Sequence, residues 1–402
     1  MLETGEQKLV SSGPMKMRNG SGRRLILQLI REEGAISRAE IARRLHLSRP
    51  TASRIVDTLE QDGLIACTGK SAPTGGRLGE LYGFRAEAGV VLGLDLGART
   101  ARAAIANFQG EILKRTSRVL SLDKKEDVLP QISLLVRDML GLWTGNAAQI
   151  VTLGVAVPGV VHTFPVPGYV DAAKVFPGLN DRPLRDELER LFHLPTVIDN
   201  DANLATLGEY QSGCAQGCSD VTYLFVGRGI GAGLLMGGNI FRGHSGAAGE
   251  AGNMVVDRVN LYHSFGGRGC LEAMASVDQL AVAAQAPGMP LPSAEAVCEQ
   301  ALAGEQRACG AIRTMNEHLA ATIINLIAIT DPEIVVLGGD LSELPRADEL
   351  FVQPIKQLVE QHTGSIPPLC LSQLQADAAL YGALQAATDV ALDLAAQTGG
   401  KD

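Results

Sequence analysis

Apolar residues recur at helical spacing in three short, closely connected stretches near the start of the chain: Arg24 to Glu33, Arg38 to Leu45 and Arg49 to Gln61. An extended run then begins at Gly63-Leu64-Ile65, turns at Thr74-Gly75-Gly76-Arg77 and resumes at Leu81-Tyr82-Gly83-Phe84. Three helices followed by a hairpin predict a winged helical head over residues 23–86. Residues 1–22 mix Gly, Ser, Lys and Met without periodicity and predict a flexible tail.

From Val90 the pattern changes to apolar strands alternating with amphipathic helices, as in an α/β domain. Strands are predicted at 90–95, 102–107, 151–156, 196–199, 221–226, 232–236 and 333–337. Helices are predicted at 126–142, 202–210, 277–286, 305–329 and 377–395. Glycine turns near Asp95 and Gly227 fall at corresponding points of two lobes, one spanning about 89–202 plus the last helix, the other about 203–376. Together they predict a body over 89–402.

Composition narrows the class. A chain of 402 residues exceeds one hydrophobic core, so two or three folded units are expected. Its seven cysteines are scattered and odd in number, which fits reduced thiols and a cytoplasmic location; Cys214 and Cys218, four apart, read as ordinary thiols. No secretory leader and no run of ~18 apolar residues is present, which argues against a membrane partner. The net charge of −9 hides an asymmetry: residues 1–86 hold 14 Lys and Arg against 9 Asp and Glu, and the remainder 21 against 35. A basic head on an acidic body predicts a polyanionic partner for the head alone.

The segment Arg38 to Val56 has the packing logic of a helix-turn-helix. Ile41, Leu45, Leu47, Ala52 and Ile55 fall where crossed helices need apolar contacts, and Ala42 falls at their close approach. Ser48 suits the N-cap of the second helix, and Pro50 its first turn. His46 occupies a turn position that tends toward positive φ. Arg38, Ser48, Arg49, Thr51, Ser53 and Arg54 are the candidates to face DNA, with Arg77 at the wing tip reaching a minor groove. One head covers little DNA, so a homodimer or tetramer on an inverted-repeat double-stranded operator is expected.

Four motifs in the body form an ordered series: Gly93-Leu94-Asp95-Leu96-Gly97-Ala98, Val197 to Asn203, Gly227-Arg228-Gly229-Ile230-Gly231-Ala232-Gly233, and Pro332 to Gly339. With Gly243-His244-Ser245-Gly246-Ala247-Ala248-Gly249-Glu250 and Gly266 to Glu272, they make the chain resemble the ROK family of sugar-responsive repressors and sugar kinases. The resemblance runs from about residue 23 to the C-terminus, and the head places it with the repressors. It implies an actin-like (ribonuclease H-like) two-lobed α/β fold behind the winged head. It also implies a monosaccharide or sugar-phosphate effector held by Gly159, Asn200, Asp201, Glu250, Asn253 and Glu272. Carboxylates and an amide match adjacent sugar hydroxyls.

In a kinase of this family Asp201 would be the general base, and Asp95, Gly97, Gly227, Arg228, Gly229, Gly231, Gly338 and Gly339 would form the phosphate turns. Here Ala98-Arg99-Thr100 replaces the family's Gly-Thr-Lys, and Arg228 replaces a threonine, so the turns read as vestigial and the chain as a sensor. Arg228 would meet an effector phosphate or form a surface salt bridge. The resemblance also brings a structural zinc, whose positions here are Asn253, His263, Phe265 and Cys270. Only His263 and Cys270 are donors, too few for a closed site. No cofactor is expected, and Phe265 is expected to fill the space of the metal cluster. Two readings stay open beside the sugar-controlled repressor: an ATP-dependent sugar kinase, and a repressor relieved by protein capture.

Overall fold

A computed structural model describes residues 19–70, 79–97, 100–121, 123–173, 176–257, 261 and 263–398. The chain forms two compact units, a head up to Ala88 joined by the end of the chain from Ala391, and a body from Gly89 to Val390.

In the head, α1 (Asn19–Glu33), α2 (Arg38–Arg44) and α3 (Arg49–Gln61) pack beside a small antiparallel sheet. Its order is β1 (Ile36–Ser37), β3 (Glu80–Phe84), β2 (Ile65–Lys70). The predicted tail is shorter than expected, because α1 starts at Asn19. Gly22 is buried close to Ile55, and Arg23 is buried with its guanidinium paired to Asp62. The body was expected to run to residue 402, but its last segment belongs to the head: Arg24 pairs with Asp393 at 2.7 Å, and Arg23 donates to the Ala395 carbonyl at 3.3 Å. Ile26, Ile30, Ile41, Ala52, Val56 and Leu59 form the core.

The body is built on two five-stranded sheets. The first has the order β10-β7-β4-β5-β6, from β4 (Val90–Leu96), β5 (Ala101–Asn107), β6 (Ile112–Arg118), β7 (Ile150–Val157) and β10 (Thr196–Asn200). The ribbon β8 (Val160–His162) and β9 (Tyr169–Asp171) lies between β7 and β10 in sequence, and α4 (Lys125–Leu142) and α5 (Leu184–Phe192) complete this lobe. The second sheet has the order β13-β12-β11-β14-β15, from β11 (Val221–Val226), β12 (Ile230–Met236), β13 (Asn239–Ile240), β14 (Ile334–Gly338) and β15 (Leu369–Leu371). Each sheet opens with an antiparallel meander of three strands and then adds two parallel strands beside its first, so the two lobes repeat one topology.

Helices α6 (Asp201–Ser212), α7 (Cys270–Ala275), α8 (Val277–Ala284), α9 (Ala294–Leu302), α10 (Gln306–Thr330), α11 (Gln353–Thr363) and α12 (Ala378–Thr398) complete the body, with α12 passing into the head at Ala391. Two of them meet backbone to backbone. A Cβ on Gly382 would lie 1.8 Å from the Leu204 carbonyl, and one on Gly208 would lie 2.2 Å from that of Ala378, so only glycine allows α6 and α12 to touch. Among the described residues, no helix is long and apolar enough to cross a membrane.

Candidate functional sites

The turn between α2 and α3 is built as its residues require. Ser37 and Ser48 cap the two helices, accepting from the backbone N–H groups of Glu40 and Thr51, each at 3.3 Å. His46 has φ 52°, the left-handed conformation expected at that position. Ile41, Ala42, Ala52 and Ile55 are buried where the helices cross, while Leu45 and Leu47 are half-buried.

The candidate DNA contacts divide. Arg49 and Arg54 project from α3 into solvent, with no ion pair among the described residues. Thr51 and Ser48 share a hydrogen bond at 2.8 Å, and Ser53 is half-buried. Arg38 is half-buried and makes its contacts within the head. Its guanidinium donates to the Tyr82 hydroxyl and to Asp57, and stands 4.7 Å from the centre of the Tyr82 ring. These contacts desolvate the cation and fasten α2 to α3 and β3. Arg77 lies outside the described residues. Arg43 and Arg44 both pair with Glu40, holding its carboxyl well down, at about 2.

In the body one cavity gathers most of the other candidates. It is lined by Asp95, Gly97, Gly159, Asn200, Asp201, Arg228, Gly229, Gly231, Glu250, Glu272 and Gly339. Most of them follow the carboxyl ends of β4, β7, β10, β11 and β14, so both sheets open onto it, the usual place for a ligand in parallel α/β structures. Gly227 and Gly338 are not among the lining residues. A Cβ on Gly227 would meet Phe225 and the Asp340 carboxylate, and one on Gly338 would meet the Tyr223 hydroxyl, so both shape the turns from behind. Asn253 is exposed on the short turn Ala251–Asn253 that follows Glu250, and is not among the lining residues.

Local structure explains the motifs. Asn200 caps α6, accepting from Ala202 and Asn203, and donates its amide to the Gly159 carbonyl at 2.9 Å. Glu250 is delivered by a chain that turns at Gly243, Gly246 and Gly249, all with positive φ; a Cβ on Gly249 would lie 1.9 Å from the Ala232 carbonyl. The reading of the sequence missed Asp199 and Arg242. Asp199 is buried, accepts from Asn203 at 2.9 Å and pairs with Arg242 at 2.7 Å, tying the Glu250 loop to the end of β10. The only signal was an extra acidic residue beside Asn200 and Asp201.

The cavity is crowded with carboxyl groups. Burial raises Asp201 to about 7, helped by the charges of Asp95 and Glu250 and opposed by the Ala202 N–H. Burial likewise raises Asp95 to about 6, against the pull of Arg102. Arg102, also missed, stands 3.2 Å from Asp95, 3.6 Å from Asp377 and 3.4 Å from the Thr100 carbonyl. Arg102 thus offsets part of the charge that Asp95 brings to the cavity. Arg228 pairs with Asp278 at 3.3 Å, the surface salt bridge weighed for it, while also lining the cavity.

Of the positions implied for zinc, only His263 and Cys270 carry donor side chains. His263 is exposed, Cys270 is buried at the start of α7, and half-buried Phe265 lies 6.4 Å from the His263 ring between centroids. Among the described residues no three His, Cys, Asp or Glu side chains are grouped to hold a metal.

A duplicated two-lobed body with a polar cavity, carrying a helix-turn-helix head, defines a ligand-binding regulator on a sugar-kinase-type scaffold. The chain belongs to the ROK family, which matches residues 91–390, and residues 23–66 match the winged helix-turn-helix DNA-binding family. It is similar to a putative xylose repressor of Caldicellulosiruptor sp. (31% identical, covering 83% of this chain and 86% of that one). A glucokinase of Thermotoga maritima is 30% identical, over 67% of this chain and 86% of its own. In structure, a ROK family transcriptional regulator described as a homologue of the Escherichia coli Mlc protein superposes with a TM-score of 0.76 at 21% identity, covering 95% of this chain and 98% of that one.

Proposed function

We propose that this chain is a transcriptional repressor of carbohydrate-utilisation genes whose hold on its operator is changed by a monosaccharide or sugar phosphate bound in the body. The observation that carries this reading is the union, in one chain, of a reading helix with Arg49 and Arg54 free to face DNA and a cavity lined by Asn200, Asp201, Glu250 and Glu272. Four such side chains accept and donate at several points around a small ring, as a polyhydroxylated ligand requires. The protein acts in the cytoplasm as a homodimer or tetramer on an inverted repeat, and holds no structural zinc.

The relatives suggest where to begin. Fluorescence anisotropy with a labelled promoter fragment, titrated with D-xylose, D-glucose, N-acetylglucosamine and their phosphates, tests the reading directly. One sugar should shift DNA affinity, and Glu250→Gln should abolish the shift while leaving DNA binding intact. No response to any sugar, with DNA released by a protein fraction instead, would replace it with relief by capture.

One observation favours a second reading, ATP-dependent sugar phosphorylation: Asp201 at about 7 is well matched to a general base. Arg102 on Asp95 opposes it. Coupled-enzyme assays with ATP, Mg²⁺ and each sugar decide between them; the sensor reading predicts no turnover that depends on Asp201.

A further inference from the structure

Cys214 and Cys370 are 156 residues apart in sequence, yet their sulfurs lie 3.0 Å apart. Cys370 is on β15, at the edge of the second sheet and opposite Val336. Cys214 follows the end of α6 and points its thiol at the same strand, 3.7 Å from the Leu371 carbonyl. Both are half-buried, within reach of a small oxidant. Cys218 packs against the same apolar cluster and is also half-buried.

The two segments are already fastened together. Glu209 on α6 is fully buried and accepts from the Cys214 N–H at 2.8 Å, the Ser372 hydroxyl at 2.5 Å and the Leu374 N–H at 2.8 Å. A disulfide needs its sulfurs about 2.0 Å apart, so an approach of about 1 Å within this frame closes the bond. The hydrogen bond with Cys214 holds Cys370 below the ordinary thiol range. The same bond, together with burial and the Glu209 charge, holds Cys214 above it. The two sulfurs are thus placed for one to attack and the other to resolve.

We propose that Cys214 and Cys370 form a reversible disulfide, closed by a hydroperoxide, that stiffens one wall of the effector cavity. One of the two, as thiolate, takes the distal oxygen of the hydroperoxide, whose O–O bond breaks to leave an alcohol, or water from hydrogen peroxide. The other thiol then displaces the sulfenic hydroxyl as water, forming the S–S bond. Two electrons and two protons leave the pair and reduce one hydroperoxide; a dithiol reverses the change by exchange. The chain from Cys370 runs through Ser372 and Leu374 to Gln375 and Ala376, which line the cavity. That second half rests on the sugar-site reading for its meaning, whereas the disulfide does not.

The test uses the full reduced chain, treated with rising hydrogen peroxide, quenched with N-ethylmaleimide, digested and read by mass spectrometry. Cys214 and Cys370 should leave the alkylated pool together and reappear as one cross-linked peptide that dithiothreitol cleaves, in wild type and Cys218→Ser alike. Cys214→Ser and Cys370→Ser should each lose it. Cys370 accumulating as sulfinic acid beside an alkylatable Cys214, or a cross-link to Cys218, would overturn the disulfide. Amide hydrogen exchange of residues 369–376, measured without any sugar, should slow several-fold on oxidation of wild type and stay unchanged in Cys214→Ser. Unaltered exchange in the cross-linked protein would overturn the stiffening.

Discussion

Asp201 stands at the start of α6 with Asp95 and Glu250 nearby, and its ordinary value of 3.8 rises to about 7. Between those values the folded chain keeps a proton that the unfolded chain has lost. Stability from this group is therefore full below about pH 4 and is lost as pH climbs through 7. Asp201→Asn should melt higher than wild type at pH 8 without ligand, the difference should be smaller at pH 5, and it should close only near pH 4; an equal difference at pH 8 and pH 5 would show that charge is not the cause. His46 makes a second residue-scale case. At φ 52° a side chain costs about 1 kcal/mol that glycine avoids, so His46→Gly should raise the stability of the head by roughly that amount in chemical denaturation. The strain was legible in the sequence because helix-turn-helix spacing singles out that one turn residue. The contact of Arg38 with Tyr82 was not, since the two are 44 positions apart and the local pattern cannot bring that strand close.

At the scale of elements, α3 is a helix whose start is set by Ser48 and Pro50 and whose outer face is left to charge. If Arg49 meets a phosphate, Arg49→Ala should weaken DNA binding evenly across sequences and lower the slope of log affinity against log salt by about 1; if it reads a base, the loss should be confined to one operator position. Either result is read from anisotropy titrations at several salt concentrations. Strands with strong apolar runs, such as Val90–Leu96 and Val221–Val226, were plain in the sequence. The strand Ile112–Arg118 was missed because all of its positions are half-buried or exposed and it is rich in Lys and Arg. The edge strand Leu369–Leu371 was missed because it has only three residues, and the Cys214–Cys370 contact was hidden with it.

For the whole molecule, regulation is a coupling free energy between two ligands, typically about 1–3 kcal/mol, or 5- to 150-fold in affinity. Linkage makes that factor reciprocal: saturating operator DNA should change the dissociation constant for the effective sugar by the same factor by which sugar changes it for DNA. Calorimetric titration of sugar into free and DNA-bound protein checks this, and unequal factors would mean that sugar and DNA do not act on one two-state equilibrium. The order of the motifs was enough to read the two-lobed plan and the cavity, while the place of the last residues in the head was out of reach, since it depends on pairings such as Arg24 with Asp393. The repeated strand order of the two lobes has a further consequence. Each sheet and its helices enclose a core of their own, a third apolar cluster joins the two, and the cavity is lined by strand ends, turns and residues of α6 and α12. The polar groups at that seam stand in front of apolar packing that their exchange leaves in place, so what the cavity recognises hangs on far fewer side chains than what keeps the chain folded.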